Sequence, residues 1–129
     1  MDEPALAQAL NELLSGSVPH YTLEGHTPVK ATDFLAWAAW YNTVDRHVAL
    51  DRGEGWELST VFLGLGPRYP DDPAGMESVP ALFETALFKE GRVVRIFARY
   101  TSWEGAERGH AWYLGVVRAQ AGEEGSGGR

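Results

Sequence analysis

The stretch VALDRGEGWELSTVFLGL, residues 48–65, decides the fold. Within Ser59 to Leu65 the apolar side chains follow a period of two. Val61, Leu63 and Leu65 fall on one face, Thr60 and Phe62 on the other, the pattern of a strand. The spacing predicts two strands, Val48 to Asp51 and Trp56 to Leu65, joined by a glycine-containing hairpin turn, Arg52-Gly53-Glu54-Gly55. The stretch ALFETALFKEGRVVRIFARY, residues 81–100, repeats the device. Ala81 to Phe88 and Arg92 to Tyr100 read as strands around a two-residue turn, Glu90-Gly91, although glutamate is not the favoured first residue there. Two consecutive hairpins predict a four-stranded antiparallel meander.

Outward from the meander the period changes to that of helices. Trp103, Ala106, His110, Tyr113, Leu114 and Val117 form an apolar stripe behind a capping box, Thr101 and Glu104. Upstream, a helix begins after Thr32 or Asp33, with Phe34, Trp37, Ala38, Tyr41 and Val44 inward and Leu35 and Trp40 widening the stripe. A short N-terminal hairpin spans Val18 to Val29, with a strand near His20 to Leu23, a turn at Glu24-Gly25 and an extended return. A further helix covers Pro4 to Leu14, with Leu6, Leu10 and Leu13 on one face and Gly16 just past its end. Gly66 to Pro80, with four prolines and two glycines, is a long loop. The expectation is one α+β domain over residues 1–120: a four-stranded antiparallel meander, about three helices and the short hairpin. Residues 121–129, glycine-rich, read as a disordered tail.

Composition narrows the function. The 129 residues include no cysteine, which excludes a disulfide scaffold, a thiolate metal site and a cysteine nucleophile. The longest apolar run, Phe34 to Tyr41, is far too short to span a bilayer. Met1-Asp2-Glu3-Pro4 is acidic where a signal peptide is basic, so the expected location is the cytoplasm, with no membrane partner. A net charge of -7 repels nucleic-acid backbones and disfavours that class of partner. His20, His26, His47 and His110 lack metal-ligand spacing, and nothing calls for a metal or cofactor.

Four features carry candidate chemistry. Uninterrupted pairing around Glu90-Gly91 sets Glu84 opposite Phe97, with Arg95 and Arg99 diagonal to it on one face. Two arginines oriented by Glu84 would hold an anion; the plainer reading is a cross-strand ion pair. Tyr69 or Trp56 could stack on the base of a nucleotide-like ligand whose phosphate meets Arg95 and Arg99, with Arg68 beside Tyr69 in the loop. Gly64-Leu65-Gly66-Pro67-Arg68 resembles a phosphate loop only superficially, since prolines follow it and not a helix. His110, on the core-facing stripe, is a structural histidine unless a partner reaches it; with Glu84 it makes the only acid-base pair worth testing for a small hydrolase.

Four blocks in order resemble a family of small, uncharacterised proteins of tailed bacteriophages and prophages: DRHVALD (45–51), STVFLGL (59–65), LFETALF (82–88) and RYTSWEGAERGH (99–110). YTLEGHTPV (21–29), with Trp37 and Trp40, fits the same pattern. The resemblance, together with a small cysteine-free domain, surplus tryptophans, a long proline-rich loop and no catalytic constellation, points to a non-enzymatic accessory protein in the host cytoplasm, of the host-takeover or counter-defence type, that binds a host or phage component. It implies no catalytic residues. The alternative is a binder of a nucleotide-like anion, and a hydrolase ranks third. Glu84, Arg95, Arg99, His110, Arg68, Tyr69 and Trp56 are the candidate binding residues. If Arg92 to Tyr100 is an edge, its run Val93, Val94, Ile96 and Phe97 offers a homodimer about a twofold axis.

Overall fold

The computed structural model describes residues 19–65 and 80–122. In chain order these form β1 (Tyr21–Glu24), β2 (Thr27–Lys30), α1 (Phe34–Thr43), β3 (His47–Gly53), β4 (Trp56–Phe62), β5 (Phe83–Lys89), β6 (Arg92–Tyr100) and α2 (Trp103–Gln120). The class is α+β as expected. Two helices lie among the described residues; the one expected over Pro4 to Leu14 lies outside them, as do most of the Gly66 to Pro80 loop and the end of the tail.

The main sheet is an antiparallel meander in the order β3-β4-β5-β6, and β1-β2 is a separate two-stranded ribbon. The sequence-terminal strands are therefore the spatial edges. The β1–β2 turn is Gly25-His26, one residue later than expected, because Glu24 already pairs with Thr27. The β5–β6 turn is Glu90-Gly91, with φ of 54° and 75°. Both central residues are left-handed, as the turn matching strand twist demands, and Glu90 adopts this despite its side chain.

One register departs from expectation. Lys89↔Arg92 and Phe88↔Val93 follow the two-residue turn, but Leu87 then faces Arg95, and Thr85 faces Ala98. Val94 and Phe97 are extra residues in β6, each a bulge. The two insertions move Arg99, not Phe97, opposite Glu84.

Helix α2 covers one face of the sheet. Ala106, His110 and Val117 are buried along it, with Trp103, Tyr113 and Leu114 partly so. Its cap is Ser102, whose hydroxyl accepts from the Gly105 N–H at 3.0 Å, and not Thr101. Beneath it Trp56, Leu58 and Leu87 form one apolar cluster with Val117, and Phe62, Leu82 and Phe83 form another with Ala106.

Helix α1 starts at its Asp33 cap, as expected, and leans on the end of the sheet. Trp37 is its one buried residue and donates its indole N–H to the Tyr21 carbonyl at 2.8 Å. Trp40 meets Phe62 edge-on, and Tyr41 donates to the Leu63 carbonyl at 2.9 Å. Leu35, expected inward, is exposed. No described helix is long and apolar enough to cross a membrane.

Candidate functional site

Two constellations emerge, one on each face of the sheet. The covered face holds a chain of hydrogen bonds. Asp51 Oδ2 lies 2.7 Å from His110 Nε2, and His110 Nδ1 lies 2.7 Å from Thr60 Oγ1. Thr60 Oγ1 is 2.6 Å from Thr85 Oγ1, which is 2.9 Å from Tyr100 Oη. A carboxylate only accepts, so Nε2–H donates to Asp51. In the neutral ring Nδ1 then accepts from Thr60, which accepts from Thr85, which accepts from Tyr100. Every hydroxyl thus donates once, and the chain runs from Tyr100 to Asp51. Burial raises the Tyr100 phenol above its ordinary value.

Each of the four sequence blocks supplies this chain: Asp51 from the first, Thr60 from the second, Thr85 from the third, Tyr100 and His110 from the fourth. Sequence reasoning singled out only His110. The available signal was that each block carries a polar residue among apolar ones, which a strand core accepts only when paired. Carboxylate, imidazole and hydroxyl in this order also make up a hydrolase relay. Here Thr60 has no exposed surface, so no substrate reaches its hydroxyl. The chain is built to satisfy buried polar groups.

The opposite face is a lattice of three rows across four strands. Arg52, Glu57, Phe88 and Val93 make the first row; Leu50, Ser59, Ala86 and Ile96 the second; His47, Val61, Glu84 and Arg99 the third. Ser59 and Ala86, the two small central residues, are each only 6% exposed, whereas Val93 and Ile96 are 52% and 53% exposed. Small residues amid large ones make a depression. With the end of α1 and the turn after it, this face forms an open groove of about 580 Å³ lined by Tyr41, Asn42, Val44 to His47 and, from the lattice, Glu57, Ser59, Val61, Glu84, Ala86, Phe88, Val93 and Ile96.

Ion pairs bound the groove. Arg52 donates to Glu57 at 2.8 Å and Arg99 to Glu84 at 2.9 Å. Asp45 accepts from the His47 backbone N–H at 3.0 Å and approaches its ring at 2.9 Å, and the backbone bond foremost holds its carboxyl below the usual range. Arg46 lies over the Tyr41 ring at 4.0 Å and donates to the Phe62 carbonyl at 2.9 Å.

The expected residues are redistributed. Glu84 and Arg99 pair on the open face, but Arg95 sits opposite Leu87 in the other alternation, with its guanidinium over Phe97, which stacks on Tyr113 of α2. The expected two-arginine clamp is not assembled, because the bulges separate its members. Glu84 and His110 lie on opposite faces of the sheet and do not form a pair. Trp56 is buried against Gly53, so its ring is not free to stack on a base. Arg68 and Tyr69 lie outside the described residues. Among the described residues no group of three or more histidines and carboxylates converges as for a metal.

No family model, curated protein or solved structure matches this chain.

Proposed function

We propose that the protein is a non-enzymatic binding protein, an accessory protein of the phage or prophage type that its four blocks resemble, which engages a host or phage protein through the open face of its sheet. One observation carries this reading. Leu50, Val93 and Ile96 stand 37% to 53% exposed on a sheet whose other face alone is covered by α2. Large apolar side chains exposed beside ion pairs on one face are what a protein interface presents. The Thr60 hydroxyl under α2 has no exposed surface, which weighs against a hydrolase. The separation of Arg95 from Arg99 removes the geometry that favoured an anionic ligand.

The test is capture from lysate of infected or lysogenic cells with three baits: the unchanged protein, Ile96→Asp on the open face, and Trp112→Ala on the outer side of α2, where Trp112 is 70% exposed. The expected result is a partner recovered with the first and third baits and lost with the second. Recovery unaffected by Ile96→Asp would overturn the assignment of this face.

A further inference from the structure

We infer that His26 and Trp103 form a proton-dependent clasp, which holds the turn of the β1–β2 ribbon to the start of α2 more firmly when the imidazole is charged. The inference does not depend on the binding role of the open face.

The ribbon is fixed differently at its two ends. At its root, Tyr21 donates its backbone N–H to the Gly64 carbonyl at 2.7 Å, His20 bridges to Leu65, and the Tyr21 carbonyl accepts the Trp37 indole N–H. The far end is the turn Gly25-His26, with Glu24 to Thr27 all exposed. Among the described residues no hydrogen bond or ion pair ties this turn to another element. The His26 ring makes the connection, lying on the Trp103 ring with centroids 3.9 Å apart and planes 6° from parallel.

That geometry responds to charge. Two neutral rings gain as much from an edge-on contact as from a parallel overlap. An imidazolium gains from the overlap in particular, because the indole face is negative and attracts a cation within about 6 Å of its centre. Histidine is the side chain whose charge changes between about pH 5 and 8, and His26 is exposed to the solvent that supplies the proton. His110, by contrast, is buried with both nitrogens bonded.

The other ring is set up to feel the contact. The Trp103 indole N–H is buried and has no hydrogen-bond partner. Packing alone therefore orients the ring, with Phe83 edge-on at 6.2 Å and His26 stacked on it. Around the stack the charged groups are Glu24 and Lys30 on the ribbon, and Glu104, Glu107 and Arg108 in the first turns of α2. The positive end of α2 opposes a cation here, but Glu104 stands in that first turn and Glu24 two residues before His26, so carboxylates offset it.

The experiment measures amide hydrogen exchange of the full chain at pH 5.5 and 7.5, corrected for intrinsic rates. Amides of the β1–β2 ribbon should be about two- to fivefold better protected at the lower pH, the size of an exposed cation–π contact. His26→Phe, which stacks without charge, should show the same protection at both. His26→Lys, charged at both, should also lose the pH dependence. The double variant Glu24→Gln, Glu104→Gln should keep it, since the indole and not a carboxylate is the partner. Equal protection of the unchanged chain at the two pH values, greater protection at the higher one, or a pH dependence that survives His26→Phe would overturn the inference. Loss of the dependence in the double variant would overturn it as well, by making the carboxylates the partner of the charged ring.

Discussion

Replacing His110 by alanine should cost about 3 to 5 kcal/mol of folding stability. The imidazole is 3% exposed and makes two bonds of 2.7 Å, one to Thr60 and one to Asp51. A neutral bond contributes about 1 kcal/mol net, and one to a carboxylate about 1.5 to 3 kcal/mol. Asp51 has 36% of its side chain exposed and regains water when its partner leaves, which sets its share near the lower figure. Truncating a buried ring to a methyl group adds about 1 to 2 kcal/mol of lost packing. For a domain of this size the sum lowers Tm by roughly 10 to 20 °C. Urea unfolding of His110→Ala, Thr60→Val and the double variant measures both the cost and the coupling. Because the two residues share a bond, the double variant should lose less than the sum of the singles, by about 1 kcal/mol or more. A His110→Ala cost under about 1 kcal/mol, or strict additivity, would refute the reading of the chain as one connected network.

Two glycines of α2 should respond in opposite directions. A Cβ at Gly115 meets nothing, so Gly115→Ala should stabilise by about 0.5 to 1 kcal/mol; a Cβ at Gly109 would collide with the Tyr100 ring and hydroxyl, so Gly109→Ala should destabilise despite the same helical gain, both read from urea midpoints. Ser102→Ala should cost about 1 kcal/mol and Thr101→Ala much less, because Ser102 holds the helix cap. The raised Tyr100 phenol binds its proton more tightly in the folded state than in the unfolded one, whose ordinary value is 10.0. Its contribution is full below that value and lost as pH rises through the higher folded one, so unfolding followed by fluorescence should show an alkaline loss that Tyr100→Phe reduces.

What was legible in the sequence is what depends on neighbours along the chain. The bounds of β6, Arg92 to Tyr100, agree residue for residue with the expectation, and the stripe from Trp103 to Val117 is the covered side of α2. The helix start was misplaced by one residue because Thr101 and Ser102 both have a hydroxyl, and only backbone geometry selects between them. Uninterrupted alternation puts Arg95 on the wrong face, because a bulge inserts a residue without a sequence signature strong enough to find it. The polar chain was out of reach for a further reason. Its bonds join positions 50 and 59 residues apart at His110 and 25 apart at Thr60, and no local period reports such pairs.

On the proposed reading the two faces of the sheet do different work, and the covered one makes the open one usable. An apolar stripe such as Ala106 and Val117 tolerates sliding by a turn, since one methyl-lined site resembles the next. His110 does not, because its two nitrogens are fixed by short bonds to β3 and β4 at once. The network therefore fixes helix and sheet in a single register, at the cost of burying hydroxyls that an apolar core would omit. A sheet held in this way can leave Leu50, Val93 and Ile96 in solvent without rearranging to hide them. The bulges at Val94 and Phe97 act on the remaining route of self-association. They interrupt the even ladder that an edge strand offers to another edge, so β6 is a poor template for strand pairing while its outward side chains still wall the groove. On the proposed reading, recognition is directed to the face of the sheet and away from its edge.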